Sequence, residues 1–250
     1  MMDAHLSVVL PVYNEANVIG STLETVAGYL AAAGFSHEIL IVDDGSTDAT
    51  LEIARSAARA TPAIQVLAAE HRGKGAAVRR GMLEARGRYR LFLDADLSTD
   101  IREWEKCAPW LDEGFEVVIG SRKMTGAHIR VRQPWLREQM GKVFTRLTNG
   151  LLGARVSDIT CGFKAFTGAA AQRIFRLQRM DGWGFDAEIL FIARRLGYDI
   201  KEVPVVWADD ASTKVHLLRD AARSFRELMA IRLGGWTGRY HAEKTNGRPR

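Results

Sequence analysis

The chain has 250 residues, of which 47% are hydrophobic and 26% are charged. This composition excludes global disorder and low-complexity polymers, and the length suits one large α/β domain or a domain with a modest appendage. The two cysteines, Cys107 and Cys161, are too few for a disulfide-stapled secreted scaffold or a cysteine-built zinc site, which favours a reducing compartment.

The beginning of the chain and its hydropathy bear on localisation. The first residues lack a basic segment followed by a long apolar run, so we expect no signal peptide. No stretch approaches the roughly 20 uninterrupted apolar residues that a membrane span needs. We expect a cytoplasmic protein that is soluble or lies peripherally on the cytoplasmic face of a membrane.

Positive charge is concentrated in two zones of the sequence. Residues 211–250 hold nine Lys or Arg and three Asp or Glu, whereas the first 210 residues sum to a charge of −1. Residues 122–146 carry seven basic residues and one acid. Such zones favour a polyanion or an anionic membrane surface as a partner, and a solvated helix face is the alternative.

Short apolar runs alternate with helical stretches in the first half of the chain. The runs are β-branched or rich in leucine with little polar alternation, which is typical of strands buried on both faces. We predict strands at 6–12, 38–43, 64–69, 89–95 and 116–121, and helices at 17–33, 47–60, 74–86 and 101–113, with residues 46–48 capping the second helix. This alternation indicates a doubly wound, mostly parallel sheet with helices on both faces.

The pattern changes after residue 121. We predict an irregular basic segment at 122–134, helices at 135–152 and 185–196, a strand at 202–207 and a last amphipathic helix at 215–233. The polar tail at 241–250 is predicted to be loose. No internal repeat or linker is apparent, so we expect a single domain over residues 1–240.

Asp94 and Asp96 follow an apolar strand with one residue between them. Side chains at i and i+2 of an extended segment point the same way, so the two carboxylates repel each other unless a cation neutralises them. Oxygen ligands at a strand end suit Mg²⁺ or Mn²⁺, which bridge to diphosphate oxygens. The alternative is a chance or capping D-x-D triplet.

Two further polar clusters follow predicted strands. The carboxylates of Asp43 and Asp44 suit hydrogen bonds from a nucleobase or a ribose, and an Asx-turn is the alternative. The segment HRGKG (71–75), which contains Lys74, precedes a helix and suits phosphate binding, with a tight turn as the alternative. The segment lacks the spacing of a P-loop. No G-x-G-x-x-G follows the first strand, which weighs against a nicotinamide enzyme.

Several motifs occur in order along residues 5–233. They are PVYNE (11–15), VDDGS (42–46), GKGAAVR (73–79), DADLST (94–99) and GSR (120–122). Together they resemble family 2 glycosyltransferases of the GT-A fold. The later motifs DITCGFK (158–164), GWGFDAE (182–188), VPVVW (203–207) and TKV (213–215) resemble the dolichyl-phosphate glucosyltransferase branch, to which the dolichol-phosphate mannosyltransferases are related.

The resemblance implies a role for each matching residue. The nucleoside pocket is expected to be lined by Pro11, Tyr13, Glu15, Val42 and Asp44. The metal and the diphosphate are expected to meet Asp94, Ala95, Asp96 and Ser98, with Asp94 and Asp96 as the metal ligands. Phosphates, including the acceptor's, are expected to meet Arg122, Lys164 and Lys214, and the sugar is expected to meet Asp186 and Glu188. The catalytic residues are expected to be Asp96, Arg122, Asp186 and Lys214.

The resemblance also implies the reaction. It is an inverting transfer of a hexose, dependent on Mn²⁺ or Mg²⁺, from a nucleotide sugar to a polyprenyl or dolichyl monophosphate at a membrane surface. Residues 1–121 would form the nucleotide-sugar half and residues 122–240 the acceptor half. UDP-glucose is favoured over GDP-mannose, because Ala208 stands where mannosyl-type enzymes usually place an arginine. A non-lipid acceptor is the other alternative, and the oligomeric state is left open.

The helices and the basic zones also bear on other classes of partner. The helices at 135–152 and 215–233 are apolar on one side and rich in arginine on the other, as at a bilayer interface, although such stripes also face a protein core. The basic zones lack interleaved aromatic residues and the spacings of helix-turn-helix or zinc-finger modules. We therefore expect no nucleic-acid partner, and a non-catalytic nucleotide-sugar binder is the remaining alternative.

Overall fold

A computed structural model describes residues 4–209 and 217–240. The nine strands of this part are β1 (Leu6–Val12), β2 (His37–Asp43), β3 (Ile64–Ala68), β4 (Tyr89–Leu93), β5 (Val117–Ser121), β6 (His128–Val131), β7 (Phe163–Thr167), β8 (Ile200–Pro204) and β9 (Val206–Ala208). Its eight α-helices are α1 (Ile19–Ala32), α2 (Thr50–Ala60), α3 (Lys74–Glu84), α4 (Trp104–Asp112), α5 (Trp135–Leu152), α6 (Gly168–Leu177), α7 (Phe185–Arg195) and α8 (Leu217–Trp236). The predicted site residue Lys214 and the tail at 241–250 lie outside the described residues.

Seven strands form one sheet, in the order β3-β2-β1-β4-β7-β5-β8. All neighbours pair in parallel except β7, which runs antiparallel to both β4 and β5. The strands β6 and β9 form a separate parallel pair. The predicted α/β class with a mostly parallel central sheet is confirmed.

Helices cover both faces of the sheet. Along β1, Val9 belongs to an apolar cluster on one face, whereas Val8 and Leu10 belong to a cluster on the other. The first cluster draws residues from α3, α5, α6, α7 and α8, and the second from α1, α2 and α4. All seven residues of β1 are buried, which explains why its sequence is almost continuously apolar.

The structure differs from the predicted elements in its second half. The prediction lacks β7, which lies in the middle of the sheet. This short strand is stabilised by its pairing with β4 and β5, which are distant in the sequence. The segment 122–134, predicted to be irregular, contains β6, which pairs with the distant β9. The predicted strand at 202–207 is divided between β8 and β9.

Residues 46–48, predicted to cap the second helix, join two turns of the sheet edge. Ser46 Oγ accepts a hydrogen bond from the backbone N–H of Asn14, in the turn after β1, at 3.0 Å. Asp48 Oδ1 accepts from the backbone N–H of Thr50, the first residue of α2, at 2.9 Å. The turns after β1 and β2 are therefore fixed to each other.

The helices α5 and α8 pack against each other and have apolar residues on two sides. Leu152 of α5 and Leu228 and Ile231 of α8 belong to the core. Other apolar side chains of the two helices are exposed, namely Trp135, Leu136, Val143 and Leu147 on α5 and Phe225, Leu233 and Trp236 on α8. Within residues 4–209 and 217–240, no helix has both the length and the hydropathy that crossing a membrane requires.

Candidate functional site

The carboxyl edge of the sheet gathers the candidate residues. Pro11 of β1 lies opposite Val42 of β2, so the turns after these strands are neighbours. β4 pairs with β1 on its other side and leads directly into the segment 94–96. The antiparallel strand β7 begins at this same edge, because Phe163 lies opposite Leu93.

The turn after β4 holds Asp94 and Asp96. Leu97 adopts a φ of 49°, and its N–H donates to the carbonyl oxygen of Asp94 at 3.1 Å. A positive φ is strained for leucine, and such strain clusters at functional sites. The N–H of Ser98 donates to Asp96 Oδ1 at 2.8 Å, and the carbonyl of the buried Ala95 accepts a hydroxyl hydrogen bond from α1. The two carboxylates are therefore held on a fixed turn.

One lysine faces this pair of aspartates. Lys74, the first residue of α3, places Nζ 2.5 Å from Asp94 Oδ1. Burial alone would lower the pKa of Lys74, but the charges of Asp94 and Asp186 outweigh burial and raise that pKa. Burial and the charge of Asp94 raise the pKa of Asp96. A positive charge beside Asp96 would oppose both causes, because it favours the ionised carboxylate.

The donor set of Asp94 and Asp96 fits a hard divalent cation. Among the described residues, no group of three or more His, Cys, Asp or Glu side chains forms a complete protein site for a metal. Mg²⁺ and Mn²⁺ do not need such a cage, because hard cations take carboxylate, diphosphate and water oxygens together. The turn thus suits an ion that binds with a diphosphate substrate.

Lys164 and Asp186 form a buried ion pair beside this turn. Lys164 is fully buried on β7, and its Nζ lies 2.5 Å from Asp186 Oδ1 and 2.6 Å from the carbonyl oxygen of Cys161. Asp186 lies in the first turn of α7, where the helix dipole favours a negative charge. Burial raises the pKa of Asp186, and the charges of Lys164 and Lys74 oppose this. In the structure each of these two side chains is the ion-pair partner of the other, and the phosphate contact of Lys164 and the sugar contact of Asp186 stay predictions.

Glu188 is also buried, and its carboxylate is bound by the protein. The backbone N–H groups of Arg179 and Met180 donate to it, Met180 at 2.7 Å, and the hydroxyl of Tyr240 donates at 2.7 Å. Burial raises the pKa of Glu188. Glu188 therefore fixes the loop before α7 and the residues after α8, and its sugar contact stays a prediction.

Arg122 follows β5 and lies within range of the charge of Asp94. Its Nε and Nη2 donate to the two carboxylate oxygens of Asp158 at 2.7 and 2.8 Å. Burial alone would lower the pKa of Arg122, but Asp158 raises it, and the charge of Asp94 contributes in the same direction. Burial alone would raise the pKa of Asp158, but the hydrogen bonds and charge of Arg122 hold it at about 2.

On the other side of the edge, Tyr13 stacks on His71 with ring centroids 4.1 Å apart. The carboxylate of Asp44 accepts hydrogen bonds from the backbone N–H groups of Arg72 and Gly73 at 2.9 and 2.8 Å. Asp44 Oδ2 also lies 2.8 Å from the ring nitrogen of His71. Asp44 therefore supports the loop before α3, and Tyr13 and His71 present the open aromatic surface.

The other predicted nucleoside residues lie deeper or act through the backbone. Pro11 and Val42 are buried, and Val42 belongs to the core. The backbone N–H of Glu15 donates to Thr50 Oγ1 at 2.8 Å, which secures the turn after β1. These three residues help to form the carboxyl edge of the sheet around Tyr13.

The loop 178–184 adds contacts that sequence reasoning missed, although its last residues belong to the motif GWGFDAE (182–188). Asp181 pairs with Arg72 at 2.7 Å and with Arg79 at 3.1 Å. The exposed ring of Trp183 lies 5.3 Å from Lys74 Nζ. The signal for this loop is the glycine of HRGKG, because a Cβ on Gly73 would lie 2.6 Å from the carbonyl oxygen of Asp181.

Gly162 is needed for the position of Asp94. A Cβ at Gly162 would overlap the Asp94 carboxylate. We expect Gly162→Ala to lower the rate of the reaction at this site by roughly 100-fold, because displacing a group of the site by about 1 Å has that effect. Initial rates check this, with Gly28→Ala of α1 as the control, where a Cβ meets nothing within 4 Å. Equal rates for Gly162→Ala and the wild type would contradict the prediction.

The sequence of the chain is similar to those of known proteins. The family model Glycosyl transferase family 2 matches residues 7–175. The chain is 32% identical to a dolichyl-phosphate beta-glucosyltransferase of Dictyostelium discoideum, over 94% of this chain and 77% of that protein. It is 33% identical to the protein of that name in Saccharomyces cerevisiae, over 97% of this chain and 78% of the relative.

Solved structures share the fold. The mannosyl-3-phosphoglycerate synthase of Rubrobacter xylanophilus superposes with a TM-score of 0.69 at 20% identity, covering 98% of this chain and 79% of that one. A glucosyl-3-phosphoglycerate synthase of Mycobacterium tuberculosis, in complex with Mn²⁺, UDP-glucose and glycerol 3-phosphate, has a TM-score of 0.67 at 22% identity, covering 91% and 80%. With the match to the family model, these results agree with the predicted GT-A fold: the chain belongs to glycosyl transferase family 2 and is a glycosyltransferase.

Proposed function

We propose that the protein transfers glucose from UDP-glucose to a polyprenyl or dolichyl monophosphate, with inversion at the sugar carbon and with a divalent metal. The observation that supports this most directly is the aspartate pair 94 and 96, with Lys74 bound to Asp94 and Arg122 within range of the charge of Asp94. A reaction between two anionic substrates needs this combination of a metal centre and cations. Relatives named dolichyl-phosphate beta-glucosyltransferases, at 31–35% identity, support the same sugar and acceptor.

The donor lies along the carboxyl edge in this proposal. Asp94 and Asp96 hold Mn²⁺ or Mg²⁺, which when bound acts as a Lewis acid on the diphosphate. Lys74 adds a cation for the diphosphate, and Tyr13 stacked on His71 offers a flat surface for the base. Residues 1–121 form this nucleotide-sugar half, and residues 122–240 form the acceptor half of a single domain.

The acceptor is a phosphate monoester, whose second pKa is about 6, so that it is largely ionised at pH 7. It therefore needs little help from a base and more help from cations that let it approach another anion. Arg122 supplies one such cation, and we assign a second to Lys214, which lies outside the described residues. Lys164 acts indirectly, because its ammonium neutralises Asp186.

A donor panel tests this proposal. The purified protein is given UDP-glucose, GDP-mannose or UDP-N-acetylglucosamine with a short polyprenyl phosphate and Mn²⁺ or Mg²⁺, and lipid products are identified by mass spectrometry. We expect glucosyl product from UDP-glucose. Mannosyl product from GDP-mannose alone would establish the alternative donor, and transfer only to a peptide or glycan included in the panel would contradict the lipid acceptor.

We propose that the protein acts peripherally on an anionic membrane surface, on the cytoplasmic face. The support is the exposed apolar side chains of α5 and α8, which lie among exposed arginines such as Arg146 and Arg226. Burial of apolar side chains strengthens binding at a bilayer interface. Each basic residue near an anionic surface adds about 1 kcal/mol to that binding.

Vesicle binding checks this surface. We expect Val143→Glu with Leu147→Glu to weaken binding to vesicles of mixed anionic and neutral phospholipids by at least about tenfold, because both side chains are exposed on α5. Ala31→Glu with Ala32→Glu adds the same charge to exposed positions of α1 and is the control. Equal loss of binding in both double variants would attribute the effect to net charge and contradict a role for α5.

A further inference from the structure

Asp158 lies in the loop between α5 and β7 and is fully buried. It accepts three hydrogen bonds from Arg122: from the backbone N–H at 3.0 Å, from Nε at 2.7 Å and from Nη2 at 2.8 Å. The two side-chain bonds form the bidentate arrangement that fixes a guanidinium in one plane. Asp158 therefore sets the direction in which Arg122 points.

Asp158 is itself held by a second carboxylate. Glu202 of β8 accepts hydrogen bonds from the backbone N–H groups of Ser157 and Asp158 at 2.8 and 3.2 Å, and from the hydroxyl of Ser157 at 2.6 Å. Ser157 Oγ also lies 2.7 Å from Ser121 Oγ, next to Arg122. The loop that carries Asp158 and the strand end that carries Arg122 thus form one hydrogen-bonded unit.

These contacts leave one nitrogen of the guanidinium, Nη1, for a ligand. Nη2 of Arg122 also donates to Thr160 Oγ1 at 2.9 Å, and the guanidinium carbon lies 5.1 Å from the ring centroid of Trp207. In the described part of the chain, no residue accepts a hydrogen bond from Nη1. Lys123 Nζ lies 3.9 Å from Asp158 Oδ1, so a second cation stands beside the carboxylate that Arg122 binds.

We propose that Asp158 is a positioning residue that orients Arg122 so that Nη1 binds the phosphate of the polyprenyl phosphate acceptor. This inference rests on the proposed function, in which Arg122 is a cation for that phosphate. A phosphate oxygen on Nη1 completes the hydrogen bonding of the guanidinium, and the ring of Trp207 keeps water from one of its faces. Asp158 does not touch the substrate and acts through Arg122.

Binding measurements with Asp158→Asn test this role. The variant keeps the shape of the side chain and loses its charge. We expect the Kd for farnesyl phosphate, measured by calorimetry, to rise about tenfold, because a charge-assisted hydrogen bond loses its orientation, while the Kd for UDP with Mn²⁺ stays within about twofold. In the transfer reaction, the KM for the acceptor rises and the KM for the donor does not.

Glu38→Gln is the matched control, because Glu38 is a buried carboxylate that accepts from Ser7 Oγ at 2.5 Å and from the N–H of Arg86 at 2.6 Å, at the opposite end of the sheet. It should lower stability without changing either Kd. Should Asp158→Asn not fold, Thr160→Val removes only the exposed partner of Nη2 and is expected to raise the Kd for farnesyl phosphate about threefold.

The outcomes separate this inference from the proposed function. An unchanged Kd for farnesyl phosphate in Asp158→Asn, or an equal weakening of UDP binding, overturns the positioning role. Absence of farnesyl phosphate binding by the wild-type protein contradicts the proposed acceptor and, with it, the assignment of Nη1. A selective loss of farnesyl phosphate binding supports the role.

Discussion

Asp96→Asn is expected to lower sugar transfer by at least about 10³-fold, which corresponds to roughly 4 kcal/mol of transition-state stabilisation. The variant keeps the size of the side chain and an oxygen for the N–H of Ser98. It removes one of the two charges that face the metal position, so both metal affinity and stabilisation of the leaving diphosphate fall. Initial rates at saturating UDP-glucose and Mn²⁺ measure the effect.

The control for this variant is Asp100→Asn, a few residues along the same loop. Asp100 Oδ1 accepts from the N–H of Arg102 at 2.8 Å, and its other oxygen lies 2.9 Å from the guanidinium of Arg102. We expect its rate to stay within about twofold of the wild type, because this surface pair contributes little. An Asp96→Asn rate within tenfold of the wild type, at unchanged affinity for Mn²⁺, would contradict a metal role for Asp96.

Lys164→Met is expected to lower the free energy of unfolding by about 3–5 kcal/mol, because it leaves Asp186 buried without its ion-pair partner. Burial already raises the pKa of Asp186, and the loss of Lys164 raises it further. An acid whose pKa is raised in the folded state loses stability as pH rises above its unfolded pKa. The penalty is therefore larger at pH 8 than at pH 5. Urea unfolding at both pH values measures it.

Two further variants decide what the loss means. Lys142→Met breaks an exposed pair with Glu138 at 2.6 Å and is expected to change stability by less than about 0.5 kcal/mol. Adding Asp186→Asn to Lys164→Met should recover most of the lost stability, because the unpaired charge is gone. The prediction is wrong if the stability lost in Lys164→Met does not depend on pH and is not recovered in the double variant. Lost packing alone would then explain the effect.

The first half of the fold was predictable because each of its strands carries its own signal. The runs at 6–12 and 38–43 are buried on both faces, and their apolar character reveals this without knowledge of their partners. β7 has no comparable signal, because Lys164 lies within it and its place depends on pairing with β4 and β5. Sequence periodicity indicates local structure only. It does not show that a short strand is inserted antiparallel between two strands distant in the sequence.

The same distinction applies to the site. The proximity of Asp94 and Asp96 to each other was predictable, because it follows from their spacing at the end of one strand. The protein partners of Lys164 and Glu188 were not predictable, because Asp186 and Tyr240 lie 22 and 52 residues away in the sequence. A motif shows which residues occur together and does not show whether a charged side chain faces the cleft or the interior.

The stereochemistry of the lipid product tests the central claim most directly. UDP-glucose, which is α-linked, is incubated with the protein, a short polyprenyl phosphate and Mn²⁺, and the anomeric configuration of the purified glucosyl lipid is read by NMR. We expect a β-linked glucosyl phosphate that does not form in EDTA. An α-linked product, or release of free glucose with no glucosyl lipid, would contradict it.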